Sequence, residues 1–332
     1  MVMMKSPLPL FFFLIVLQLS PITSQTCNVK PPPSTETTSV ICVDQNGCCN
    51  FTTVQAAVNA VDAFSQKMTI IWINTGTYVE KVIVPENKTN LTFQGQGLQS
   101  TIISWNDRGD VVGTYLTGSV EVYSNNFIAK NISFMNGAGP GTQAVAIRIS
   151  GDKAAFWGCG FLGNQDTLLD DEGRHYFKDC FIQGTVDFIF GGATSLYENC
   201  ELNSIANATA GCCDAAITAN GREKNDTTGF AFVNCNITGT GRINLGRAWR
   251  PFARVVFSFT TISNIIVPEG WNDMGHPERQ ETVFFGEYQN SGDGAYNRTK
   301  RVSYSRNLTD TEAAPFLTKA FINGDQWLQP FA

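Results

Sequence analysis

The stretch FWGCGFLGNQDTLLDDEGRHYFKDCFIQGTVDFIFGG, residues 156–192, carries one pattern twice. FWGCGF at 156–161 and FKDCFI at 177–182 align on Cys159 and Cys180. Seven positions after each cysteine comes an aspartate, Asp166 or Asp187, set among apolar neighbours. An ionised carboxylate is strongly disfavoured in such surroundings unless something pairs with it. The two aspartates and the repeat that spaces them therefore need one explanation.

The pattern continues as YENCEL (197–202), FVNCNI (232–237) and FSFTTI (257–262), aligned on Cys200, Cys235 and Thr260. An aromatic residue precedes each anchor by three positions (Phe156, Phe177, Tyr197, Phe232, Phe257), and an apolar one follows by two (Phe161, Ile182, Leu202, Ile237, Ile262). The anchors are 21, 20, 35 and 25 residues apart. Short strands recurring at that period and bridged by Gly, Asn and Asp suit a solenoid, because one coil cannot bury its own inner face and must stack on another. The expected class is all-β, a right-handed parallel β-helix with a short N-terminal helix. A β-sandwich competes, but its strands return every 8–12 residues or so.

In a β-helix Asp166 and Asp187 occupy equivalent places on consecutive coils, about 4.8 Å apart. At ~5 Å and an effective dielectric of about 20, two negative charges repel by roughly 3 kcal/mol, or about two pKa units. One carboxyl then holds its proton while the other is ionised, the acid-beside-base arrangement that hydrolysis needs. A solvated aspartate ladder at a coil corner is the competing reading, opposed by the apolar Leu168, Leu169, Phe188, Ile189 and Phe190 nearby.

The rest of the chain bounds the function. A formal net charge of −6 and a pI near 5.0, with no basic run, argue against nucleic acid as a partner. Residues 1–24 read as a secretory signal peptide: Lys5 in the n-region, an apolar core from Leu8 to Leu19, then small or polar residues to Ser24, and too short to span a membrane. Residues 25–40, rich in Pro, Ser and Thr, read as a linker, so that one folded domain occupies 41–332. Within it, Val54, Ala57, Val58 and Val61 share a face and predict a helix inside 51–64. Ten cysteines and sequons at Asn50, Asn131, Asn236 and Asn307 agree with secretion.

Several separated motifs resemble the plant and bacterial pectin methylesterases: GTYVEKV (76–82), GTQAVAIR (141–148), GNQDTL (163–168), GTVDFIFG (184–191), LGRAW (245–249), GWNDMG (270–275) and FFGEYQNSGDGA (284–295). The resemblance implies hydrolysis of the C6 methyl esters of galacturonosyl units in pectin, in the cell wall, with no metal or organic cofactor. It makes Asp187 the nucleophile and Asp166 the general acid, then base. Gln143 and Gln165 suit an oxyanion hole, being uncharged N–H donors. Arg247 is suited to hold Asp187 ionised, and Trp249, two residues on and on the same strand face, to stack on a sugar ring. Ser119 stands where relatives have a Thr contacting substrate. The resemblance also implies a Cys200–Cys235 disulfide, a monomer, and proteinaceous inhibitors as partners. Two features depart from the family: Ala248 replaces the usual Pro of LGRPW, and the linker occupies the place of a common N-terminal helical region.

Other chemistries fit less well. There is no G-x-S-x-G elbow, and His175 and His276 are the only histidines, against a serine triad and a zinc hydrolase. A pectin-cleaving glycosidase or lyase on the same fold is the enzymatic alternative. A wall-binding protein without activity is the other.

Overall fold

The computed structural model describes residues 27, 29–207, 215–297 and 299–328. The expected signal peptide, Cys212 and Cys213 lie outside them. Among the described residues, three parallel sheets of eleven, eight and eight strands wind into a β-helix; eight coils give one strand to each sheet, and the first sheet gains further strands at both ends. The coil that opens the repeat shows the plan: Ala154–Trp157 lies in the eleven-stranded sheet, Gly160–Leu162 in the second and Leu168–Asp170 in the third.

The alignment on cysteines gives the register residue by residue. Phe156, Phe177, Tyr197, Phe232 and Phe257 pair in sequence across neighbouring strands. So do Phe161, Ile182, Leu202, Ile237 and Ile262. The first set forms a stack of rings inside the coil, with centroids 4.9, 4.4, 4.5 and 4.4 Å apart. All five rings are fully buried, each contributing about 1.5–3 kcal/mol by leaving water.

One left-handed residue turns each coil between these two sets: Asn131, Gly158, Asp179, Asn199, Asn234 and Phe259 all have φ between 52° and 58°. Asn and Asp tolerate that conformation better than other side-chain-bearing residues, which accounts for their recurrence just before the anchor.

The N-terminal end is capped by a helix, Val54–Ala60, shorter than the sequence window. The Thr53 hydroxyl accepts from the Ala56 N–H, the Glu80 carboxylate accepts from the Val54 and Gln55 N–H groups, and Val54, Ala57 and Val58 pack on the core. The first strand, Thr38–Val43, begins inside the stretch read as linker and pairs in parallel with Met68–Ile73. Disulfides Cys27–Cys48 and Cys42–Cys49 tie this edge together. At the other end a short helix, Asp310–Ala313, and following turns lay Leu308, Phe316 and Ile322 over the outer face of the eleven-stranded sheet.

The implied Cys200–Cys235 disulfide is not formed: both are free, buried thiols, as are Cys159 and Cys180. The four lie at equivalent places on consecutive coils. Each thiol instead donates to carbonyl oxygens, Cys200 to Phe177 and Glu198, and Cys235 to Tyr197 and Val233. Burial pushes the Cys200 and Cys235 thiols well up, away from thiolate. Alkylation in denaturant without reductant, read by peptide mass, should therefore label all four. An unlabelled, covalently linked Cys200–Cys235 peptide pair would contradict the ladder.

Candidate active site

The two aspartates sit at the corner where each coil enters the third sheet. Leu168 pairs with Ile189, two residues beyond Asp166 and Asp187, so the carboxyl-bearing residues stack one coil apart. Both take left-handed backbone, φ 64° and 50°. The Asp166 N–H donates to Val186 O at 3.0 Å and the Asp187 N–H to Ala216 O at 2.7 Å, so the next coil fixes each corner. Close approach explains the glycine three positions before each aspartate: a Cβ on Gly184 would lie 2.6 Å from Asn164 O, and one on Gly163 2.7 Å from Thr167 Oγ1. The buried Thr167 hydroxyl braces the corner by donating to Gln183 O at 2.9 Å.

Asp166 and Asp187 retain only 8% and 7% of their exposure. Burial raises both carboxyls, but their surroundings separate them. Asp166 is pushed up to about 8 by burial and by the neighbouring Asp187 charge, against a smaller opposing pull from Arg247. Asp187 is also raised by burial, but to about 6, because Arg247 counteracts it through charge and hydrogen bonds. Arg247 Nε donates to Oδ1 at 2.7 Å and Oδ2 at 2.9 Å, and Nη2 adds a further short bond to Oδ2. Between about pH 6 and 8 the site thus holds a proton on Asp166 and a charge on Asp187.

Gln143 and Gln165 pair across adjacent coils beside Asp166, and the Ala144 N–H donates to Gln165 O at 3.1 Å. Both side chains are half-buried. Arg247 ends its strand, Asn244–Arg247, on the coil above Ala219.

Trp249 lies past that strand, in the turn, and not on the strand face as expected. Its ring packs edge-on to Phe190, centroids 5.9 Å apart, above a small apolar cluster of Val145, Leu169 and Ala219. The turn is held by a residue with no motif around it to single it out: Arg279 Nη1 donates to Ala248 O at 2.6 Å and Trp249 O at 3.3 Å. The Ala248 N–H donates to Asn272 O at 2.9 Å. The loop thus has its own clamp, and a proline at 248 would forfeit the bond to Asn272.

Ser119 is not in the cleft. It is fully buried, its hydroxyl donates to Met135 O at 2.8 Å and it accepts from the Trp105 N–H at 3.1 Å. With its proton committed to Met135 and no surface exposed, the hydroxyl cannot be reached by substrate, so the expected contact is withdrawn.

Comparison with known proteins agrees with this geometry. A Pectinesterase family model matches residues 40–325. Probable pectinesterase 8 of Arabidopsis thaliana is 55% identical over 310 residues, covering 90% of this chain and 79% of the relative. The pectin methylesterase from carrot superposes with a TM-score of 0.84 at 34% identity, over 91% of this chain and 99% of that one. A pectin methylesterase in complex with hexasaccharide VII has a TM-score of 0.74 at 25% identity, over 85% and 96%. Sequence, fold and the stacked carboxyl pair lead to one assignment: this chain belongs to the pectinesterase family of carboxylic ester hydrolases.

Proposed function

We propose that this protein hydrolyses the C6 methyl esters of methylated homogalacturonan, with Asp187 as nucleophile and Asp166 as general acid and base. The observation that carries the reading is the split pair: two stacked carboxyls, Asp166 pushed up to about 8 and Asp187, in the grip of Arg247, raised only to about 6. An ionised Asp187 oxygen attacks the ester carbonyl carbon, and the amide N–H groups of Gln143 and Gln165 receive the developing oxyanion. Collapse breaks the C–O bond to methoxide, which leaves as methanol with the Asp166 proton. The Asp166 carboxylate then removes a proton from water, whose oxygen attacks the acyl carbon of the sugar. Asp187 departs as carboxylate and the uronic acid is released. Trp249, half-exposed beside Phe190, offers the sugar a flat surface.

Secretion to the cell wall is part of this proposal. It is supported by the signal-peptide pattern and by exposure of the sequon residues Asn50, Asn131, Asn236 and Asn307.

The test is to incubate the purified protein with highly methylated pectin and assay methanol, new reducing ends and unsaturated uronide together. Methanol release alone is the expected result. New reducing ends would identify a glycosidase, unsaturated product a lyase, and no product a wall-binding protein.

A further inference from the structure

The chain from Asp107 to Thr117 leaves the wall between the strands Thr101–Trp105 and Val120–Val122 and forms a shelf beside Gln143. The shelf is firmly anchored. Buried Asn136 donates through Nδ2 to Asp107 O, Thr117 O and Val145 O at 3.0–3.1 Å, tying both ends of the shelf to the segment that follows Gln143. The Val145 N–H donates to Thr117 Oγ1 at 2.9 Å, and Trp105 Nε1 and Lys81 Nζ both donate to the Asp107 carboxylate. On the outside, Arg108 grips Asp110 with two hydrogen bonds of 3.0 and 2.8 Å, and Thr142 Oγ1 reaches Asp110 at 3.2 Å.

At the point of contact stands Gly109. Its N–H donates to Gln143 O at 2.8 Å. A Cβ added there would lie 2.9 Å from Gln143 O, closer than real Cβ contacts run, and 3.0 Å from its Cβ and 3.2 Å from Oε1, tight enough that Gln143 would have to shift. Its φ is not in the left-handed range, so no backbone conformation demands glycine at this position. The demand is for space against Gln143.

We infer that Gly109 is a positioning residue for catalysis: the shelf presses its bare Cα against Gln143 and so fixes where that amide can point. The inference rests on the reading of Gln143 as an oxyanion donor. Transition-state stabilisation by such a donor depends on placement to a few tenths of an ångström, so a crowding methyl group acts on turnover more than on ground-state binding.

The experiment is a double-mutant cycle with Gly109→Ala and Gln143→Ala, measuring kcat and KM for methanol release and the melting temperature. Gln143→Ala should lower kcat by about 100-fold. Gly109→Ala should lower kcat about tenfold with KM changed less than twofold. In the Gln143→Ala background the crowding against the backbone O and Cβ of residue 143 persists but the amide is gone, so the same glycine change should have less than a twofold effect on kcat. A kcat within twofold of the parent in Gly109→Ala, or an equal loss in both backgrounds, overturns the inference. If Gln143→Ala itself retains full turnover, the reading of Gln143 fails instead. Should Gly109→Ala not fold, Asp110→Ala opens the outer clamp without adding an atom beside Gln143. A severalfold lower kcat is then expected, and an unchanged one overturns the inference.

Discussion

Asp166→Asn should abolish turnover and at the same time make the protein more stable. The amide keeps the shape of the carboxyl but cannot deliver a proton to methoxide or take one from water, so kcat should fall by at least about a thousandfold. The stability change follows from where the proton sits. Asp166 holds its proton up to about 8 when folded but only to 3.8 when unfolded, so ionisation opposes folding. Folding stability is therefore lost as pH rises from 3.8 through about 8. Asparagine has no such charge to suppress, and at pH 7 its gain should be on the order of 2–4 kcal/mol, several degrees in Tm. Melting curves at pH 4 and pH 7 check this: the variant should match the parent at pH 4 and exceed it at pH 7. A variant that melts earlier at both pH values would instead mark Asp166 as part of a structural ladder, and near-parental methanol release would remove it from the reaction.

Removing the Arg247 charge should move the whole pH profile toward alkali. On the proposed mechanism, the parent's activity should rise as Asp187 ionises near 6 and fall as Asp166 loses its proton near 8, with both limbs belonging to the coupled pair. Arg247 lowers both carboxyls, strongly for Asp187, which it touches, and more weakly for Asp166. In Arg247→Gln the acidic limb should thus move up by about one pH unit or more and the alkaline limb by less, narrowing the bell. At a fixed pH below the limb, a nucleophile whose pKa is higher by about one leaves roughly a tenth as much carboxylate, and the rate falls about tenfold with it. The measurement is methanol release from pH 4 to 10 for both proteins. An acidic limb that stays near 6 would show that Arg247 does not set the charge of the nucleophile.

How much of this was legible beforehand depended on how far the cause lay from the residue. The solenoid and its register could be read because every coil repeats the same inward pair, Phe177 and Ile182 being one example, and stacking turns that repeat directly into pairing. The equivalence of Asp166 and Asp187 followed from the same count. Direction was harder to read. Cys200 and Cys235 are neighbours as expected, but each thiol is turned to backbone carbonyls and left unpaired with the other, which the spacing of cysteines along a chain does not reveal. Ser119 turns its hydroxyl into the wall toward Met135, a choice made by a strand sixteen residues later in sequence. Arg279 reaches the Ala248–Trp249 turn across about thirty residues from the short 3-10 helix Pro277–Glu281, and a single arginine there has no local signature. The C-terminal turns cover the eleven-stranded sheet with Phe316 and Ile322, which are too sparse to show a helical period.

The uneven spacing of the anchors has a consequence for how such a cleft can change. Coils of 20 and 35 residues bring Tyr197 against Phe177 and Phe232 against Tyr197 in the same register, so the additional length leaves the stack undisturbed. Closing the longer excursion costs only about 0.5 kcal/mol more. The stack that aligns the carboxyl pair and the excursions that flank it are therefore written by different stretches of the chain. Insertions can reshape what flanks Asp166 and Asp187 while the stack that aligns them stays in place.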